Sequence, residues 1–423
     1  MRRSPSLPFA ATIACLAVAC SSGSENAGPP IDPACIDAGD PPTSLDCTGL
    51  YSNLATKVLS PTAIAYTPAV PLWADSADKL RWIEIPDGGT IDRSIPTEWS
   101  FPVGTKVWKE FSYGGKRVET RYFHKQSPNF WTYNTYVWNA DDSAAIQSAG
   151  GSIPMPGDVD GVYVVPAPED CEKCHKGATD HLLGFEEVSL GLKGATGLTL
   201  AQLAAKGLLT PPPPLTALEV GDDGTGQAAA PMEWLHINCG RTCHNTNQNA
   251  TAYGAGMYLR LDPTQLDGRS SVDFDTRTTT IGKVSTTPSY GGGTRIVSGD
   301  PSESLIYQLI SNRTGNQMPP IASRVVDAPD DALVKDWIAR MPAAHVPMDA
   351  GVKDAAEDAK DAADDAKDAT SDAHEDVTSD AHEDVASDAH EDAHGDATVD
   401  AHGGASPDDA GPDASDLPDA QDD

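Results

Sequence analysis

The chain is short of positive charge: Lys and Arg number 29 against 63 Asp and Glu, a formal net charge of −34. Nowhere does it cluster the basic residues that neutralise phosphates, which excludes nucleic acid as a partner. Long apolar runs are missing too. Pro8 to Ala19 is too short to span a bilayer as a stable helix, and no later stretch is apolar enough. No Ser-His-Asp set and no carboxylate pair stands out as a catalytic centre. Cysteine is scarce at eight residues, and the placing of those eight carries most of the information.

Arg2 and Arg3 precede the apolar run, which ends Leu16-Ala17-Val18-Ala19-Cys20 and continues Ser21-Ser22-Gly23-Ser24. Residues 1–19 read as an export signal. Small residues before a single cysteine resemble a bacterial lipobox, which makes Cys20 the lipidated first residue of the mature chain. The alternative is an ordinary signal peptide cut nearby. The expected location is the cell envelope, as a lipoprotein facing periplasm or cell surface. Ser21 offers no acidic inner-membrane retention signal, so the outer membrane is favoured for the lipid anchor. Residues 20–45, rich in Ser, Gly, Pro and Asp, read as a flexible tether. In an oxidising compartment Cys35 and Cys47 are expected to bridge each other.

Cys171-Glu172-Lys173-Cys174-His175 is C-x-x-C-H, the attachment signature of a c-type haem. Two thiols on one turn can add to the two vinyl groups of the porphyrin, and the next residue, His175, can bind the iron. A second copy, Cys239-Gly240-Arg241-Thr242-Cys243-His244, carries one extra residue between the thiols. The plainer readings are a zinc half-site, a redox dithiol or, for the second pair, a disulfide. Two Cys-His endings in one exported chain favour haem c, covalently attached, at both. His175 and His244 then become iron ligands. For the sixth ligand of the first iron, His181, His236, Met232, Met155 and His124 are all candidates, and each is also an ordinary core or surface residue type.

From 46 to 168 the pattern is that of strands. Leu80–Ile85, Lys106–Phe111 and Val118–Phe123 alternate with period two, and Tyr113-Gly114-Gly115-Lys116 between the last two is a hairpin signal. Asn129–Trp138 and Gly161–Val165 are further strands. Stacking on carbohydrate is conceivable for so many aromatics, but alternate strand positions point to core. The first haem segment, 169–222, contains a helix from Thr199 to Leu209. The second, 228–345, reads as helices at Ala228–Asn238, Pro301–Asn312 (capped by Ser302 or Asp300) and Asp330–Met341, with Leu333, Trp337 and Ile338 on one face of the last. Residues 346–423, acidic Asp/Ala/His repeats without an apolar face, are expected to be disordered. The fold class is therefore α+β and multidomain: an antiparallel β domain, a mainly α-helical haem region and an acidic tail.

Residues 228–341 resemble a class I cytochrome c domain in their order: helix, Cys…Cys-His, loop, helix, Met-Pro, C-terminal helix with an aromatic. The resemblance implies that Met318, of Met318-Pro319-Pro320, is the second axial ligand of that iron, and the departure is the C-x-x-x-C-H spacing, whose extra residue Gly240 could absorb. The stretch 80–341 also resembles a family of exported bacterial two-haem proteins, through Pro102–Phe111, Val118–Arg121, Tyr136–Asn139 and Trp234–Cys239. What this implies is a β domain joined to two haem segments, with no substrate. The expected role is electron transfer with redox proteins of the periplasm or membrane. A haem enzyme, peroxidase-like or acting on a small molecule at an open first haem, and a surface-binding lipoprotein are the alternatives. The chain reads as an electron carrier rather than a catalyst with its own substrate.

Overall fold

The computed structural model describes residues 35, 39–155 and 159–343. Residues 1–19, expected to be an export signal, Cys20, most of the expected tether and the acidic residues beyond 343 lie outside the described residues. Seven strands form the main sheet: β1 Ile64–Thr67, β2 Asp78–Glu84, β3 Lys106–Tyr113, β4 Lys116–Ser127, β5 Phe130–Trp138, β6 Ala145–Ser148 and β7 Thr196–Gly197. Their order is β7-β1-β2-β3-β4-β5-β6, and every neighbouring pair is antiparallel. Gly114 and Gly115 join β3 to β4 with φ of 56° and 80°; a two-residue turn that matches strand twist needs both. Gly161–Val165, read as one more strand, instead supplies Val162–Val165 to a separate ladder with Gly151–Pro154.

Strand alternation gives the sheet two different faces. Trp82, Trp108 and Tyr122 lie in register across β2, β3 and β4. With Tyr136 and Trp138 they pack against Leu45, Leu50, Tyr51 and Leu54, so these aromatics are core. The Cys35–Cys47 disulfide, Cα atoms 5.2 Å apart, ties down the segment covering this face. The opposite face carries Ile83, Val107, Phe123 and Trp131, which belong to a cluster that continues through Phe185 and Leu203 to Cys239, Trp337 and Ile338. The core therefore runs without a break from the sheet into both Cys-His segments, and the described residues form one compact unit.

Seven helices follow in the described residues: α1 Pro168–His175, α2 Glu187–Gly191, α3 Leu200–Ala205, α4 Ala229–Leu235, α5 Asp275–Thr278, α6 Leu305–Ile310 and α7 Ala328–Arg340. Helix is the minor part of residues 228–343, against the expectation of a mainly α-helical region. Between α4 and α6 the chain is mostly turns and isolated bridges, in a Gly- and Thr-rich stretch that opposes helix. Side chains satisfy its backbone instead: Arg295 Nη1 donates to the Gly256 and Thr279 carbonyls at 2.8 and 2.7 Å. Thr199 caps α3 as expected, but that helix ends at Ala205, short of Leu209. Asp300 accepts from the N–H groups of Ser302 and Glu303 at 3.0 and 3.3 Å, holding Pro301–Ser304 as a turn, so α6 starts four residues late. On α7 the buried face is Val334, Trp337 and Ile338, with Leu333 only half-buried. Among the described residues no helix is long and apolar enough to cross a membrane.

Candidate functional site

Pro168 opens α1, and Asp170 accepts from the Ala167 N–H at 3.1 Å. Both favour a helix start, through fixed φ and a satisfied N-terminal donor. Cys171, Cys174 and His175 then fall within this one helix at spacings that share a face. His175 is its last residue. The Nδ1–H of His175 donates to the main-chain oxygen of His181 at 2.5 Å.

That return is built by the turn after α1. His181 sits at φ 62°, a left-handed conformation uncommon for a side-chain-bearing residue. Two contacts hold it. Its Nδ1 is 2.7 Å from the Tyr133 hydroxyl on β5. The preceding Asp180 is buried, accepting from Lys125 Nζ and the Phe101 N–H at 2.5 Å each and from Trp131 Nε1 at 2.7 Å. The sheet thus fixes the turn, the turn fixes the His181 carbonyl, and that carbonyl orients His175. Phe123 supports the imidazole, ring centroids 4.7 Å apart. Burial, aided by the nearby Lys109 charge, pushes the His175 pKa down to about 3. A neutral ring whose Nδ1–H is donated to a carbonyl leaves the Nε2 lone pair for a metal.

His175, Cys171 and Cys174 line a cavity of about 390 Å³, walled on the sheet side by Phe111, Phe123 and Tyr163. Its size and apolar, aromatic character suit a planar organic ligand. Burial raises the pKa of all four free thiols among the described residues, with Cys174 at about 11 and Cys239 at about 12. A redox dithiol needs the opposite shift. Among the described residues no three His, Cys, Asp or Glu side chains are grouped to hold a metal ion by themselves. Two thiols and one imidazole are one donor short of a closed four-ligand zinc site and could hold a porphyrin, which brings its own four nitrogens. A second cleft of about 460 Å³, between Val137 and Gly151, is lined by no titratable side chain.

At the second motif α4 passes into a π-helical turn, His236–Gly240. The Arg241 N–H reaches the His236 oxygen at 2.6 Å and the His244 N–H reaches the Cys239 oxygen at 2.8 Å, both closing i→i+5. Such a turn holds more residues than an α-turn, and the His244-to-Cys239 bond lets the wider spacing of C-x-x-x-C close at the end of the helix. The flexibility of Gly240 is not what absorbs it. Gly240 is required for room, since a Cβ there would lie 2.4 Å from the Leu259 carbonyl carbon and the Arg260 nitrogen. Burial takes the His244 pKa to about 4. Its Nδ1 is enclosed and makes no hydrogen bond of ordinary geometry, with the Met257 main chain nearby. Met318 is half-buried against the cluster that contains Cys239.

The two motifs touch, which nothing in their separation along the chain foretells. A Cβ on Gly177 would lie 1.7 Å from the Thr242 oxygen. Asn245 Nδ2 donates to the Gly177 and Gly240 carbonyls at 3.2 and 2.7 Å, and Thr251 Oγ1 donates to the Lys173 carbonyl at 3.1 Å. Gly177→Ala must force these backbones apart and is expected to destabilise by about 1–3 kcal/mol. Thermal melts check this against Gly254→Ala, where nothing lies within 4 Å of the added carbon. An equal melting temperature for the two variants would refute the close approach.

The candidates for a further ligand are scattered. His181 is not among the residues lining the cavity, and its Nδ1 meets the Tyr133 hydroxyl. His124 alternates with Phe123 onto the other face of β4, with its Nδ1 2.7 Å from Asp40. His236 accepts from the Leu261 N–H at 3.0 Å through Nδ1 and approaches Glu186 at 3.4 Å through Nε2. Met232 is fully buried in the main core. Met155 packs on the cluster that supplies Phe111 and Tyr163 to the cavity wall. Burial by itself would raise the Glu186 carboxyl, but the His236 hydrogen bond, the Arg241 charge and hydrogen bonding from Ser189 outweigh it and take it to about 2. Compared with known proteins, the chain matches no family model, no curated protein and no solved structure.

Proposed function

We propose that the protein is a two-haem c-type cytochrome that transfers electrons in the cell envelope. The observation that carries this is His175: its Nδ1–H is held by the His181 carbonyl while its ring and both thiols of Cys171 and Cys174 line one cavity. Those two thiols would hold one haem and Cys239 and Cys243 the other. His175, His244 and Met318 would bind the irons. When bound, the group supplies one-electron chemistry. The chain supplies position and environment: the His181 carbonyl fixes the His175 tautomer and raises its basicity, Phe123 fixes its ring plane, and the Gly177–Thr242 contact places the two attachment helices against each other. The sequence of α4, the π turn, α6, Met318 and α7 supports a cytochrome c-like reading of residues 228–341. Anchoring through lipid at Cys20, on the outer membrane, and redox proteins of the periplasm or membrane as partners complete the reading.

Met318→Ala in protein made with a haem-maturation system tests the ligand assignment. The expected result is loss of the weak near-infrared Met-to-iron band. The potential of one haem should fall by on the order of 0.1 V, a fraction of the roughly 0.8 V that axial ligands span. Survival of both band and potential would mean another ligand. A second reading is a haem enzyme with an open position at the first iron, favoured by the commitment of His124, His181, His236 and Met232 to other contacts. Carbon monoxide or cyanide binding at rest separates the two: a carrier with both irons six-coordinate binds neither quickly.

A further inference from the structure

We infer that Lys79, Lys109 and Arg121 form a cationic wall that binds the carboxylates of the haem held at Cys171, Cys174 and His175; the inference rests on the haem reading above. All three line the same cavity as the two thiols and the histidine. Arg81, Lys109 and Arg121 lie directly opposite one another on β2, β3 and β4, and Lys79 precedes Arg81 by two residues on the same face. Like charges directly opposite in a sheet destabilise it, and burial compounds the cost. A sheet needs a reason to keep three cations in one row on its covered face.

Of the acids within reach, Glu119 alone pairs with a member of this row, and it pairs with Arg121 rather than with Lys79 or Lys109. Glu119 pairs with Arg121 at 2.5 Å but also accepts from the Tyr163 hydroxyl at 2.9 Å. Asp75 is taken by the N–H groups of Arg324 and Val325, at 2.9 and 3.0 Å. Asp170 is taken by Lys173 at 2.6 Å and by the Ala167 N–H. Arg81 faces the Lys79 carbonyl at 3.4 Å and is not part of the cavity wall. Lys79 Nζ donates to the Leu72 carbonyl, which leaves its charge unbalanced. The Lys109 ammonium has neither an ion pair nor a hydrogen bond among the described residues. Burial, then the Arg81 and Arg121 charges, lowers the Lys79 pKa to about 7, as expected of a cation lacking its counter-ion. A haem brings two carboxylates on one edge, and charge-assisted bonds from ammonium and guanidinium groups suit them. Phe111, Phe123 and Tyr163 add apolar surface to the same cavity wall.

The test uses the full chain matured with haem, comparing wild type with Lys109→Met, Lys79→Gln and Lys109→Arg. Haem content is read first, by mass. A wild type without haem mass overturns the haem reading and this one with it, before any variant is compared. With haem content intact, Lys109→Met is expected to shift the haem-propionate bending band in resonance Raman spectra. It should also move the first haem's redox equilibrium toward the oxidised form by about tenfold, about 59 mV for one electron. Lys109→Arg, which keeps the charge, should restore both. Unchanged bands and potentials in Lys109→Met and Lys79→Gln would overturn the wall. So would a change of iron spin state in Lys109→Met, which would make Lys109 an iron ligand instead.

Discussion

Asp180→Ala is expected to cost the fold about 3–5 kcal/mol, the range for stranding one partner of a buried ion pair. Lys125 is 1% exposed and Asp180 6%, so neither water nor salt can replace the lost carboxylate. The Phe101 N–H and Trp131 Nε1 would lose their acceptor at the same time, and each buried unsatisfied donor costs about a further 1–3 kcal/mol. Whole-domain stabilities are commonly about 5–15 kcal/mol, so this variant should sit near the threshold of folding. Denaturant unfolding measures it. The control is Lys125→Met combined with Asp180→Asn, which removes both charges and should recover most of the loss, because apolar replacement of a buried pair is often close to neutral. A loss under about 1 kcal/mol in Asp180→Ala would mean that Asp180 does not anchor the turn carrying the His181 carbonyl.

Cys171→Ser with Cys174→Ser is expected to remove one whole haem and leave the other. The two motifs sit on separate segments, α1 and the π turn after α4 with the residues that follow it, and each has its own thiols and histidine. Intact mass should fall by one haem unit, and the reduced α-band absorbance should halve. The Gly177–Thr242 contact is made by backbone atoms, so the second site should keep its structure. Loss of both haems would show that the second site cannot mature without the first, contrary to independent attachment.

How much could be read from residues alone differs sharply between elements. The Gly114-Gly115 hairpin and the aromatic core strands are local patterns, and the structure bears them out as elements. The Cys35–Cys47 bridge followed from compartment and elimination. What escaped was set by contacts distant in sequence. His181 looked like a possible iron ligand because it lies close after His175; its main-chain oxygen is what His175 uses, and only the Tyr133 and Asp180 contacts to the sheet put it there. His236 had a ligand's chemistry until Glu186 and the Leu261 N–H occupied its two nitrogens. Helix was overestimated in 228–345 in part because Pro301–Ser304, read as the start of a helix, is a turn that Asp300 holds. The π turn had one local signal, the unusual C-x-x-x-C spacing itself. The cation row was legible only after register was known, since Arg81, Lys109 and Arg121 are far apart along the chain.

Acid should test the buried Glu186 side of this arrangement. Its folded pKa, about 2, lies below the ordinary carboxylate value of 4.5. Stability from this group is therefore fully present above about pH 4.5 and lost as pH falls toward 2. Denaturant midpoints should drop across that window, and less so in Glu186→Gln. Equal slopes in the two proteins would remove Glu186 as a source.

The central claim is covalent haem at both Cys-His motifs, and intact mass of the matured protein, paired with a reduced pyridine haemochrome spectrum, tests it most directly. The account predicts a mass two haem units above the processed polypeptide with its lipid, and peptides bearing haem at Cys171/Cys174 and at Cys239/Cys243. A protein carrying free thiols, disulfides or zinc at these positions, with no haemochrome band, would contradict it.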